Sequence, residues 1–277
     1  MNTLANRTLF ITGASRGIGR AIALRAARDG ANVVVAAKTD EPNPKLPGTI
    51  HSVAAEIEAA GGKALAIQLD VRDEERVGAA IQAAVERFGG LDVVINNAGA
   101  ISLTSAEHTP MKRVDLMFQV NVRAAYACAH HAIKHLKRSS NGHILSLSPP
   151  IDLSPHWFKN HTAYTISKYG MTMATIGLAE ELRAAGVAVN SLWPRTIIQT
   201  AALNLIGGSA LGKQARTPEI MADAAYAVIT TPSGELTGQQ LLDEPFLRSR
   251  GVTSFDHYAV TPGGPILTDL FVTDPAS

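Results

Sequence analysis

Residues 9–19 read Leu-Phe-Ile-Thr-Gly-Ala-Ser-Arg-Gly-Ile-Gly: an apolar strand-like run, then glycines, then the start of a helical pattern. No other stretch constrains the fold as strongly. Glycine permits a left-handed backbone and leaves no Cβ between chain and ligand, and the helix that follows offers unpaired N–H groups and a positive dipole end to an anion. The stretch therefore predicts a pyrophosphate cradle made by Gly13, Ser15, Arg16, Gly17, Ile18 and Gly19. The spacing Gly13-x-x-x-Gly17-x-Gly19 differs from the G-x-G-x-x-G dinucleotide fingerprint but keeps its strand, turn and helix order. A tight turn without a ligand is the competing reading.

Further along, helical and strand-like segments alternate. An apolar helix face at Ala21, Ile22 and Leu24 ends at Gly30, and the continuous apolar run 32–37 reads as a strand buried on both faces. A helix over 52–60, a strand over 64–69 closing on Asp70-Val71, a helix capped by Asp73 and running to Phe88, and a strand over 91–95 follow. This β-α-β-α-β-α-β order predicts an α/β, Rossmann-type doubly wound parallel sheet of about seven strands with helices on both faces. Ligands then bind outside the carboxyl ends of the strands, where Asn96-Asn97-Ala98-Gly99 falls in a ligand-side or strand-bracing role.

The strand 32–37 ends at Ala37, Lys38 and Thr39, where a dinucleotide fold usually carries an acid for the adenosine ribose hydroxyls. Lys38, with Arg16 as a second cation, suits a 2′-phosphate, so NADP(H) is expected over NAD(H), which stays admissible. The alternative is a solvated lysine at a strand end. Residues 40–50, rich in proline, make a stiff surface loop.

A long helix is expected over 112–137, a fifth strand over 142–147, a sixth over 187–192 and a last over 238–242. His131 and His135 lack the H-E-x-x-H pattern, and no metal site is expected. The apolar run between Ile197 and Ile206 reads as a mobile lid or as a helix packed on the core. Chemistry is expected at Tyr164 and Lys168. Their spacing puts both on one helix face, where an ammonium favours the phenolate and makes the tyrosine an acid or base at moderate pH.

At 277 residues two domains are admissible, but no linker-like break precedes Asp243. The division expected is a dinucleotide-binding catalytic domain over 1–244 and a C-terminal extension, 245–277, packed on it. A formal net charge of +1 gives no footprint for nucleic acid or an anionic membrane, which leaves a small-molecule substrate. The lone Cys128 cannot form an internal disulfide, and no targeting signal, membrane-spanning run or peroxisomal ending is present, so a cytoplasmic protein is expected.

Thr12-Gly13-x-x-x-Gly17-x-Gly19, Asp70-Val71, Asn96-Asn97-Ala98-Gly99 and Tyr164-x-x-x-Lys168 together resemble the short-chain dehydrogenase/reductase family over roughly residues 7–244. The resemblance implies NAD(P)-dependent hydride transfer to or from a carbonyl or alcohol carbon. It makes Tyr164 the proton donor or acceptor, and Lys168 the group that holds the nicotinamide ribose and lowers the tyrosine pKa. Asn121 would hold a relay water, Asp70 with Val71 would face the adenine, and Asn97 would lie along the ribose. It also implies a homodimer or homotetramer through helices at 112–137 and 163–185.

Two departures stand out: Pro149 occupies the place of the family's catalytic serine, with Ser148 beside it, and Pro194-Arg195 replaces a Pro-Gly. Ser148 is the expected second donor to the substrate oxygen, provided the Pro149-Pro150 turn rotates the strand end; a water or Ser154 is the rival. Ile101, Leu103, Trp157, Phe158 and the Ile197–Ile206 run suggest an apolar, lipid-like substrate, unless they are packing residues. A nucleotide-binding sensor or scaffold with little turnover is the alternative function.

Overall fold

The computed structural model describes residues 3–44 and 46–273. Lys45, residues 274–277 of the expected extension and the side chains of 205–209, among them Leu205 and Ile206 of the expected lid, lie outside the described residues.

Seven strands form one sheet: β1 (Thr8–Thr12), β2 (Asn32–Ala37), β3 (Lys63–Gln68), β4 (Val93–Asn96), β5 (Gly142–Ser146), β6 (Val187–Trp193) and β7 (Gln240–Leu242). Their order is β3-β2-β1-β4-β5-β6-β7, with every pairing parallel. The order reverses between β1 and β4, which opens a crevice at their carboxyl ends.

Nine α-helices are described: α1 (Gly17–Ala27), α2 (Ile50–Ala59), α3 (Glu74–Phe88), α4 (Met111–Met117), α5 (Ala124–Leu136), α6 (Thr162–Leu182), α7 (Ala201–Gly212), α8 (Glu219–Thr230) and α9 (Asp243–Ser249). The period-two geometry of the strands divides the core. Leu9, Ile11, Val33 and Val35 point to one face with α1, α2 and α8, while Phe10, Val34 and Val94 point to the other with α3, α5 and α6.

Three expectations meet differences. The helix expected over 112–137 is broken between α4 and α5 by a π-helical turn, Phe118–Arg123, a feature that often marks functional positions. Helix α8 was not anticipated; its Ile220, Met221, Ala224, Ala225 and Val228 follow a helical period into the core. The boundary expected between 244 and 245 falls inside α9, which buries Phe246 and Leu247 in the same core as Phe255 and Tyr258.

Candidate active site

The glycine turn sits at the crevice. Gly13 and Gly17 have φ of +66° and +56°, a region that L side chains rarely adopt. At Gly19 the need is space: a Cβ there would lie 2.5 Å from Asn97 Nδ2 and 2.8 Å from the Gly13 carbonyl oxygen. Asn97 Nδ2 donates to the Thr12 and Gly13 carbonyls at 2.8 and 3.0 Å, and the Thr12 hydroxyl accepts from the Asn97 and Ala98 amides at 3.1 and 3.0 Å. Asn97 therefore braces the turn against β4 while also lining the cleft.

The cleft has a volume of about 600 Å³, and its wall includes Gly13, Ser15, Arg16, Gly17, Ile18, Lys38, Asp70, Val71, Asn97 and Lys168. Gly19 is not in that wall; it serves through close packing. No side chain caps the N-terminus of α1, leaving its first-turn amides and dipole to an anion. Glycine cradle, uncapped helix and cleft fit a dinucleotide.

The two cations are both engaged. Arg16 donates to the Thr39 hydroxyl and to the carbonyls of Pro47 and Gly48, pinning the proline-rich loop against the turn. Lys38, with a side chain 66% exposed, pairs with Asp70 at 3.2 Å. Arg72 grips the same carboxylate, and these partners, Arg72 first and Lys38 after it, hold the Asp70 carboxyl well below the usual carboxylate range despite its desolvation.

At the far end of the cleft, α6 presents Tyr164 and Lys168. Lys168 Nζ donates to the Leu147 carbonyl at 2.6 Å and lies 5.0 Å from the centre of the Trp193 ring. Asn121, fully buried in the π turn, accepts from the Ala100 N–H at 2.8 Å and donates to the Ala100 carbonyl and the Ser167 hydroxyl at 2.9 Å. Its side chain thus ties the loop after β4 to α6.

Depth reverses one expectation. Burial pushes the Tyr164 phenol up from its ordinary value, and the nearby Asp269 carboxylate pushes it further; Lys168 itself is lowered by burial to about 7. Removing both groups from water outweighs the lowering of the phenol expected from an adjacent ammonium. The shift is toward the protonated phenol, the form that donates a proton.

Leu147 lines both the cofactor cleft and its neighbour, while Ser148 is in neither wall. It is fully buried, with its hydroxyl 2.9 Å from that of Thr172, which also donates to the Pro149 carbonyl at 2.7 Å. Ser154 is also committed, donating to Asp152 at 2.5 Å.

The wall of the neighbouring cleft carries a carboxyl, Asp269, that sequence spacing does not reveal. Residues 266–272 form a strap across the mouth of the sheet. The Ile197 amide donates to the Leu267 carbonyl and the Asp269 amide to the Arg195 carbonyl, each at 3.0 Å, and Trp193 Nε1 donates to the Leu270 carbonyl at 2.9 Å. Phe271 anchors the strap among Tyr164, Tyr169, Trp157 and Trp193, with ring centres 5.4 to 6.1 Å away. Its φ of +66° is a strained value for a bulky residue, held by this packing. Desolvation, with a contribution from Asp243, raises the Asp269 carboxyl to about 7.

The strap closes a second cleft of about 590 Å³ whose wall includes Ile101, Leu103, Trp157, Trp193, Ile197, Leu203, Leu267 and Leu270, with Tyr164 and Asp269 as its ionisable groups. Phe158 lies outside the wall, packed edge-on against Tyr169. The two clefts share Tyr164 and Leu147. Among the described residues no helix is long and apolar enough to cross a membrane, and no cluster could hold a metal ion.

The family model described as short chain dehydrogenase matches residues 7–206. Hydroxysteroid dehydrogenase-like protein 2 from Danio rerio is 60% identical over 97% of this chain, and that from Homo sapiens is 52% identical over 98%. The chain spans 64% of the length of each of these two relatives. The crystal structure of a Mycobacterium thermoresistibile short chain dehydrogenase superposes with a TM-score of 0.93 at 51% identity, covering 99% of this chain and 98% of that one. A Xanthomonas campestris protein gives 0.95 at 53% identity, covering 98% and 100%. With the glycine turn, the Tyr164–Lys168 pair and these matches in agreement, the chain belongs to the short-chain dehydrogenase/reductase family.

Proposed function

We infer that this chain is an NAD(P)-dependent oxidoreductase acting on a carbonyl or alcohol carbon of an apolar, lipid-like substrate, with NADP(H) preferred over NAD(H). One observation carries the reading: the nucleotide-shaped cleft and the apolar cleft meet at Tyr164. A bound nicotinamide supplies or accepts the hydride there. The glycine turn and α1 would hold its pyrophosphate, Lys38 and Thr39 the 2′-phosphate end, Asp70 and Val71 the adenine edge, and Asn97 and Lys168 the riboses. Tyr164, kept protonated by its burial, would give its proton to the substrate oxygen during reduction, and the apolar wall would exclude water from the exchange.

Exposed Met111, Tyr126, Ile166, Met173 and Ile176 on α4, α5 and α6 support a homodimer or homotetramer through those helices. Buried, unpaired Cys128 suits the cytoplasm. The test mixes NADPH-loaded protein with medium-chain aldehydes and ketones while following cofactor absorbance. Oxidation of bound cofactor is expected; tight NADPH binding with no oxidation by any carbonyl would favour a sensor or scaffold.

A further inference from the structure

We propose that Asp269, carried by the C-terminal strap, supplies the second hydrogen bond to the reacting oxygen, the role that neither Pro149 nor Ser148 can fill. The proposal rests on the reading that Tyr164 faces that oxygen. Asp269 lines the apolar cleft together with Tyr164. One of its carboxyl oxygens accepts the Leu270 N–H at 2.7 Å. The carboxyl is deep in the wall yet reachable from the cavity, and the strap holds it through Arg195, Trp193 and the Phe271 ring cluster.

Its electrostatic neighbours are Lys168 and Tyr164 on α6 and Asp243 on α9. Desolvation and Asp243 favour the neutral acid, the Leu270 N–H and Lys168 the carboxylate; the balance raises the carboxyl to about 7. A neutral acid in an apolar wall is a hydrogen-bond donor. During reduction the hydride adds to the carbonyl carbon, the carbonyl π pair moves onto oxygen, and that oxygen takes the proton of Tyr164. Asp269 keeps its own proton and steadies the developing negative charge.

The test reads the substrate oxygen directly. Carbonyl-labelled decan-2-one is bound to NADP⁺-loaded protein, which cannot reduce it, and its C=O stretch is measured by isotope-edited infrared spectroscopy. In wild type the band should lie well below its position in hexane, and both Asp269→Ala and Tyr164→Phe should give back part of that shift. Asp269→Asn, which keeps an N–H donor and the side-chain shape, should retain it. Raising the pH through about 7 should weaken the shift in wild type and leave Asp269→Asn unchanged, a contrast that holds even if Asp269→Ala folds poorly. In turnover of an accepted ketone, Asp269→Ala should lower kcat by about 100-fold with little change in KM. A band moved by Tyr164→Phe but not by Asp269→Ala, or the same pH response in wild type and Asp269→Asn, overturns the proposal. A band that neither variant moves overturns the underlying reading of Tyr164 instead.

Discussion

The two ends of the active cleft are built by different means. On the nucleotide side, backbone does the work: Gly13, Gly17 and Gly19 let the chain turn, and Thr12 and Asn97 lash that turn to β4, its neighbour in the sheet. On the substrate side, side chains from α6, β6, α7 and a strap near the end of the chain meet in one apolar wall. The first end is fixed by short sequence spacings and strand pairing. The second exists only once the strap has docked, so its chemistry can differ between chains that share the first.

The largest test of this contrast removes the anchor of the strap. Phe271 is 3% exposed among five aromatic rings, His161 included, and Phe271→Ala should cost about 3 kcal/mol of stability as a large-to-small core change. It should abolish turnover while leaving NADPH affinity within a few-fold, as read by denaturant unfolding, steady-state rates and cofactor titration. Equal loss of affinity would mean that the two ends are not separable.

Gly19→Ala probes the other end. The added Cβ meets Asn97 Nδ2 at 2.5 Å and backbone atoms of Gly13 and Ala14 at 2.8 and 3.0 Å, so the turn must shift. A cost of about 1 to 3 kcal/mol in stability is expected, with NADPH affinity lost and the apolar cleft still able to take a hydrophobic dye. Unchanged cofactor binding would show that the turn does not set the nucleotide site.

The two ends should also respond oppositely to pH. The folded pKa of Asp269 is raised to about 7, so its contribution to stability is fully present below the unfolded value and is lost as pH rises through about 7. Asp70 is held low by Arg72 and Lys38, so its contribution is present at neutral pH and is lost only as pH falls through its depressed folded value. Asp269→Asn should therefore raise the Tm of the cofactor-free protein more at pH 8 than at pH 5, while Asp70→Asn should lower it at both. Identical pH profiles for wild type and Asp269→Asn would contradict this.

How much of each end was legible follows from the same contrast. The strands β1, β2 and β4 carry continuous apolar runs, β1 closed by Gly13 and β4 by Asn96-Asn97, so their order and the cradle could be read from spacing. Tyr164 and Lys168 could be paired because four residues separate them on one helix face. Asp269 and Phe271 could not be found, since they sit in a stretch rich in proline and glycine with no period to report where it packs. The direction of the Tyr164 shift was misjudged because spacing reports a neighbouring charge but not depth. Ser148 lies past the end of β5 at Ser146, where spacing gives no register to say which way a side chain faces.

The smallest expected effect concerns cofactor choice. Lys38 is exposed and shared with Asp70, so Lys38→Ala should weaken NADP(H) by about 2- to 5-fold, within the ~1 kcal/mol of an exposed ion pair, and leave NAD(H) almost unchanged. Fluorescence titration of both cofactors checks this. Tighter binding of NAD(H) than NADP(H) by wild type would remove the 2′-phosphate from the account.

The central claim is that proton transfer and nucleotide binding meet at Tyr164 yet are separable there. Stopped-flow oxidation of bound NADPH by an accepted carbonyl, compared between wild type and Tyr164→Phe, tests it most directly. The account predicts a rate reduced by about 1,000-fold with NADPH affinity within two-fold, because only the transferable proton has been removed. A wild-type rate in Tyr164→Phe would place the chemistry elsewhere and contradict the account.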